Sequence, residues 1–159
     1  MKTLLYLLAF LFLINEGFLA QSKKEVKKNK INIATVTVTE NGKTLNESSR
    51  KFDAKGNEIE FVDYNKEGKI KEIHRYKYNS NGDEVEDEQS DATNKLVQKK
   101  ITKYNMLGEK TEELFYDPAN KLIKKHSYTY DNKGLKTERK TIDAEGKVIA
   151  IKKHSYSFK

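Results

Sequence analysis

Residues 128–149 read YTYDNKGLKTERKTIDAEGKVI. Two turn-like pieces, YDNKG and IDAEG, place Gly134 and Gly146 twelve residues apart. The remaining glycines after residue 20 are Gly42, Gly56, Gly68, Gly82 and Gly108. Their spacings are 14, 12, 14 and 26 residues. Asn94 and Asn120 fill the two 26-residue gaps, so nine slots alternate by 14 and 12 and the repeat is 26 residues. Gly and Asn are the residues that best tolerate the left-handed backbone of a hairpin turn.

Asp or Asn precedes eight of the nine slots by three residues: Asp53, Asn65, Asn79, Asp91, Asn105, Asp117, Asp131 and Asp143. Such a side chain can bond the backbone two residues on. The single proline, Pro118, occupies the second turn position, where its fixed φ suits a type I turn. Each unit therefore predicts a type I turn closed by a left-handed residue. Strands are expected at 31–40, 43–52, 57–64, 69–78, 83–90, 95–104, 109–116, 121–130, 135–142 and 147–158. The acidic DEVEDEQS segment is the weakest of them. The fold class is all-β: an antiparallel meander of about ten strands, built from hairpin repeats into a curled single sheet. A closed ten-stranded barrel is the alternative.

The motif Phe52-Asp53 to Gly56 recurs as Tyr64-Asn65 to Gly68, Tyr78-Asn79 to Gly82, Tyr104-Asn105 to Gly108, Tyr116-Asp117 to Asn120 and Tyr130-Asp131 to Gly134. This pattern resembles the YD repeats of the Rhs family, and the short YD-type repeat proteins exported by Bacteroidetes. The resemblance implies strand-turn-strand units over nearly the whole chain after the leader. In Rhs proteins many such units build a shell around a toxin. Here there are about five units and no separate toxin segment.

The slots are all even-numbered. If pairing across each turn keeps parity, Glu112 faces His126, and even and odd residues form two consistent faces. The even face would hold Tyr64, Tyr76, Tyr78, Tyr104, Tyr116, Tyr128, Tyr130, Tyr156 and all three histidines. It would also set Glu60, Glu86, Glu112 and Glu138 opposite His74, Lys100, His126 and Lys152. The odd face would be aliphatic and lysine-rich.

The first 20 residues read as a signal peptide: Lys2, then an apolar LLYLLAFLFLI core, then a cleavage region near Ala20. Residues 21–30 read as a basic flexible tether, and 31–159 as the β-hairpin repeat domain. The chain lacks cysteine, which excludes disulfides, thiolate metal sites and a cysteine nucleophile. Its formal net charge is +7, with 35% charged residues of both signs. That charge suits acidic glycans or lipid head groups, and export disfavours nucleic acid. Membrane spanning is not expected once the leader is removed.

The sequence carries no nucleophile elbow, zinc-protease motif or phosphate loop, so no catalytic residue, metal or cofactor is expected. His74 and His126 are four strands apart, about 19 Å in an open sheet, too far to share a metal ion. They read as cross-strand partners of carboxylates. The reading is an exported binding or structural module of the cell envelope, with a glycan or protein as partner. Its candidate surface is Tyr76, Tyr78, Tyr104, Tyr128 and Tyr130 with Lys100 and Lys124. A barrel-shaped periplasmic carrier of a small apolar ligand is the alternative. The two edge strands could self-associate.

Overall fold

The computed structural model describes residues 22–159. The signal peptide expected over 1–20 lies outside the described residues. A helix, α1 (Lys23–Asn29), precedes ten strands: β1 (Ile33–Glu40), β2 (Lys43–Phe52), β3 (Glu58–Tyr64), β4 (Ile70–Tyr78), β5 (Glu84–Asp91), β6 (Leu96–Tyr104), β7 (Lys110–Tyr116), β8 (Leu122–Tyr130), β9 (Lys136–Asp143) and β10 (Val148–Lys153). They form one antiparallel sheet in chain order. β1 and β10 are its open edges. The barrel alternative is thereby excluded, along with the lumen it would have enclosed.

The turns arise as their composition dictates. All nine slots have positive φ, from 62° at Asn120 to 88° at Gly146. In the Asp53 turn, the Gly56 N–H donates to the Asp53 carbonyl and the Asp53 N–H to the Asn57 carbonyl. The Asp53 carboxylate accepts from the Lys55 and Asn57 N–H groups. These hydrogen bonds hold its pKa low against the opposing effect of burial. The first hairpin differs. Asn41 and Gly42 both have positive φ and Glu40 pairs with Lys43, as in a two-residue type I′ turn. Even the acidic β5 is fully paired, with β4 and β6 supplying cations beside it.

One expectation fails throughout the sheet. Tyr116 faces Leu122 as parity requires, but Phe115 faces Lys124 and Glu113 faces His126. Ile123 is an extra residue, a β-bulge that shifts the register by one. The same bulge falls three residues after every slot from Gly56 onward, at Ile59, Lys71, Val85, Val97, Thr111, Ile123, Thr137 and Ile149. Each bulge moves the following strand's residues to the opposite face. One face therefore takes even residues from even-numbered strands and, past their bulges, odd residues from odd-numbered strands; it also takes Glu58, Glu84, Lys110 and Lys136, which precede the bulges and pair with Phe52, Tyr78, Tyr104 and Tyr130. We call it face A and its opposite face B.

Two corrections follow. Glu60, Glu86, Glu112 and Glu138 lie on face B, opposite Arg75, Ile101, Ser127 and Lys153 rather than His74, Lys100, His126 and Lys152. Tyr64 and Tyr116 join them there, Tyr116 beneath the Lys99 ammonium at 5.6 Å. Face B is a lattice of cross-strand ion pairs, among them Arg75–Glu60 at 3.0 Å and Lys103–Glu112 at 2.9 Å.

The segment read as a flexible tether is helical over Lys23–Asn29. Ser22 and Glu25 cap it reciprocally, an N-terminal signal embedded in the lysine-rich composition. Val26 seals the helix against the end of the sheet and is 1% exposed. Among the described residues, only Val26, Phe52 and Ile73 are buried hydrophobics. A domain usually buries its sheet under a second layer. Over most of this sheet, face A has none.

Candidate functional site

Each even-numbered strand from β4 to β8 ends in tyrosine, and Tyr156 repeats the position beyond β10. The bulge explains why. The last β3–β4 pair is Glu60 with Arg75, so Glu58 has no ladder partner on the β4 side. The Tyr78 hydroxyl donates to the Glu58 carbonyl at 2.7 Å. Tyr104 donates to Glu84, Tyr130 to Lys110 and Tyr156 to Lys136 in the same way, at 2.8–2.9 Å. Each ring therefore lies sideways across the sheet toward the neighbouring strand instead of standing up from it. Three rings are half-buried, and Tyr156 is 46% exposed. Burial and the nearby Glu84 and Glu58 carboxylates push the Tyr78 hydroxyl up to about 12. It stays a proton donor across the physiological range.

Above this row lie two related clusters. In the first, Asp87 accepts from His74 Nδ1 at 2.8 Å and pairs with Lys100 at 3.2 Å. Lys100 also reaches Glu84 at 3.0 Å. These carboxylates raise the Lys100 pKa in spite of its burial. The His74 ring stacks on Tyr76 at 6.0 Å. Burial, then the Asp87 charge, raises the Tyr76 pKa.

In the second cluster Glu113 is the centre. It pairs with Lys110 at 2.6 Å and His126 Nδ1 at 3.2 Å, and accepts a hydrogen bond from the Tyr128 hydroxyl. Burial alone would raise the Glu113 pKa, but the Lys110, Tyr128 and His126 hydrogen bonds outweigh it and hold the pKa at about 2. Burial and the bond to Glu113 raise that of Tyr128. Phe115 meets the His126 ring edge-on at 5.0 Å. Lys124 sits 4.9 Å over Phe115, and Lys136 sits 4.6 Å over Tyr128. In the second cluster the Tyr128 hydroxyl is held by Glu113, and its raised pKa keeps it protonated. Among the described residues no three His, Asp or Glu side chains converge as metal ligands.

All seven candidate residues, Tyr76, Tyr78, Tyr104, Tyr128, Tyr130, Lys100 and Lys124, lie on face A. They come from β4, β6 and β8, where two successive bulges cancel. The residues not anticipated there come from odd-numbered strands past their bulges: Asp87, Glu113 and Arg139.

Face A is also bipolar. Over β1–β5 it carries Arg50, Lys43 and the Lys71 ammonium, which reaches Asp63 at 2.7 Å, against Glu40, Glu58, Asp63, Glu72, Glu84, Asp87 and Asp91. Over β6–β10 it carries Lys100, Lys110, Lys124, Lys136, Arg139 and Lys152 against Glu113 and Asp143. The change falls within repeat columns: positions 58, 84, 110 and 136 read Glu, Glu, Lys, Lys, and 72, 98 and 124 read Glu, Gln, Lys.

No family model matches the chain, and no curated protein matches it. Among solved structures, TarM matches at 21% identity over 79% of this chain and 22% of that one, with a TM-score of 0.32. A GtfA/B complex bound to UDP and GlcNAc matches at 11% identity over 75% and 24%, with a TM-score of 0.30. A protein of unknown function from Bacteroides fragilis matches at 14% identity over 82% and 96%, with a TM-score of 0.39. The chain spans about a fifth of the length of the TarM chains it matches. Likenesses this distant carry no functional argument.

Proposed function

We propose that this chain is an exported, non-enzymatic binding module of the cell envelope or its surroundings. Face A docks a flat, extended partner, and a glycan suits it best. The observation that carries this reading is the row of tyrosines tied down by their hydroxyls. Ring faces fixed across a sheet form a platform on which the apolar faces of sugar rings can stack. Little ordering cost remains for the protein on binding. Export rests on the leader pattern of residues 1–20. Among the described residues no helix is long and apolar enough to cross a membrane.

A glycan array probed with the chain from residue 22 onward tests the reading. Binding should survive Tyr104→Phe and Tyr130→Phe, which keep the rings, and fail in the corresponding Ala variants. Binding to no glycan, or equal binding by the Ala variants, would dismiss it. A second reading has its own observation. β10 exposes Ile149 at 56% and Ile151 at 53% along an unpaired edge, which favours strand addition by a protein partner or a second copy.

A further inference from the structure

Resting on the platform reading above, the geometry points to an acidic polysaccharide as the ligand, bound over β7–β10 and running across the strands. Four cations on this half, Lys124, Lys136, Arg139 and Lys152, have no carboxylate within ion-pair distance among the described residues. Asp143 lies across from Lys124, but it is engaged by the Lys147 N–H of its own turn. Lys124 and Lys136 instead rest on aromatic faces. Arg139 Nε is shielded from solvent and has no acceptor.

The spacing fits a polymer. Lys110, which is paired with Glu113, and the unpaired Lys136 are repeat equivalents two strands apart, so their strands are separated by roughly 10 Å. Tyr130 lies between them. Two sugar rings of an extended chain span a similar distance, so one acidic group per disaccharide would meet one cation per hairpin while the intervening ring stacks on tyrosine. The β1–β5 half offers the same polymer no free cation in this column, because the equivalent residues there are Glu58, paired with Arg50, and Glu84, paired with Lys100. A neutral glycan would not distinguish the halves.

The test titrates the chain with a hyaluronan octasaccharide, which carries one carboxylate per disaccharide. A neutral octasaccharide of N-acetylglucosamine and a single-stranded oligo-dT of equal charge serve as comparisons. The acidic sugar should bind best and weaken as salt rises. Lys124→Ala/Lys136→Ala/Lys152→Ala should weaken it by roughly tenfold or more, since each exposed ion pair contributes modestly. Lys124→Arg/Lys136→Arg/Lys152→Arg, which keeps the charges, should retain it. Lys55→Ala/Lys66→Ala/Lys147→Ala, which removes the same charge from exposed turns, should bind as the parent does. If the Ala triple variant fails to fold, amide-shift mapping on the parent chain replaces it, and shifts should concentrate in β7–β10.

Equal binding of the neutral sugar overturns this inference but leaves the platform reading standing. Tighter binding of oligo-dT, shifts centred on β1–β5, or equal weakening by the turn variant also overturn it. Binding of neither sugar overturns this inference, and the platform reading falls with it only if the glycan array is also blank.

Discussion

Glu113 offers the sharpest test of how face A is held together. Its carboxylate is 12% exposed and meets Lys110, His126 and Tyr128. Its pKa falls from 4.5 to about 2 on folding. A depressed carboxylate contributes stability that is fully present above its unfolded pKa and is lost as pH falls through its folded pKa. The window is therefore about pH 4.5 down to about pH 2. The difference corresponds to stabilisation on the order of 3 kcal/mol at neutral pH. Glu113→Gln removes the charge but keeps the shape and an acceptor for Tyr128. Urea titrations at pH 7 should show the variant less stable by about that amount. At pH 3 the gap should shrink to about 1.4 kcal/mol, because the unfolded carboxylate is by then protonated while the folded one is still mostly charged. A gap of the same size at both pH values would refute an electrostatic role. A gap below about 0.5 kcal/mol at pH 7 would refute the cluster's contribution altogether.

Other expectations follow from the same geometry. Tyr104→Phe and Tyr130→Phe each strand one carbonyl and should each cost about 1 kcal/mol by denaturant titration, nearly additively given their two-strand separation. A Cβ at Gly56 would lie 2.6 Å from the Lys23 carbonyl, whereas one at Gly146 meets nothing within 4 Å. Both residues have positive φ, so Gly146→Ala should cost about 1 kcal/mol in thermal melts. Gly56→Ala should cost clearly more and should loosen α1, seen as faster amide exchange at Val26. Ser22→Ala removes the helix cap and should raise exchange in α1 at a cost of about 1 kcal/mol.

The ten strands were legible because turn chemistry is local. A left-handed residue after an Asx turn marks eight of the nine hairpins, and Asn41-Gly42 marks the first, whatever packs around them. The register was not legible, because neither face is cleanly apolar, and a one-residue slip therefore leaves no trace in the hydrophobic pattern. A weaker signal was present. Seven of the eight bulge residues, all but Lys71, are β-branched, and all eight fall three residues after a slot. Tyr76, Tyr128 and Lys124 were assigned to one face correctly because they sit on even-numbered strands, where paired bulges restore parity. Asp87, Glu113 and Arg139 were missed because they sit on odd-numbered ones. The Ser22–Glu25 cap was hidden by the basic composition around it.

The central claim is that a bulge after each turn assembles face A from alternating parities. Cross-strand NOEs in the intact chain test it without perturbing anything. The account predicts contacts linking Glu113 to His126 and Glu112 to Ser127. Contacts linking Glu112 to His126 would contradict it, and would move Glu113 and Arg139 off the tyrosine face.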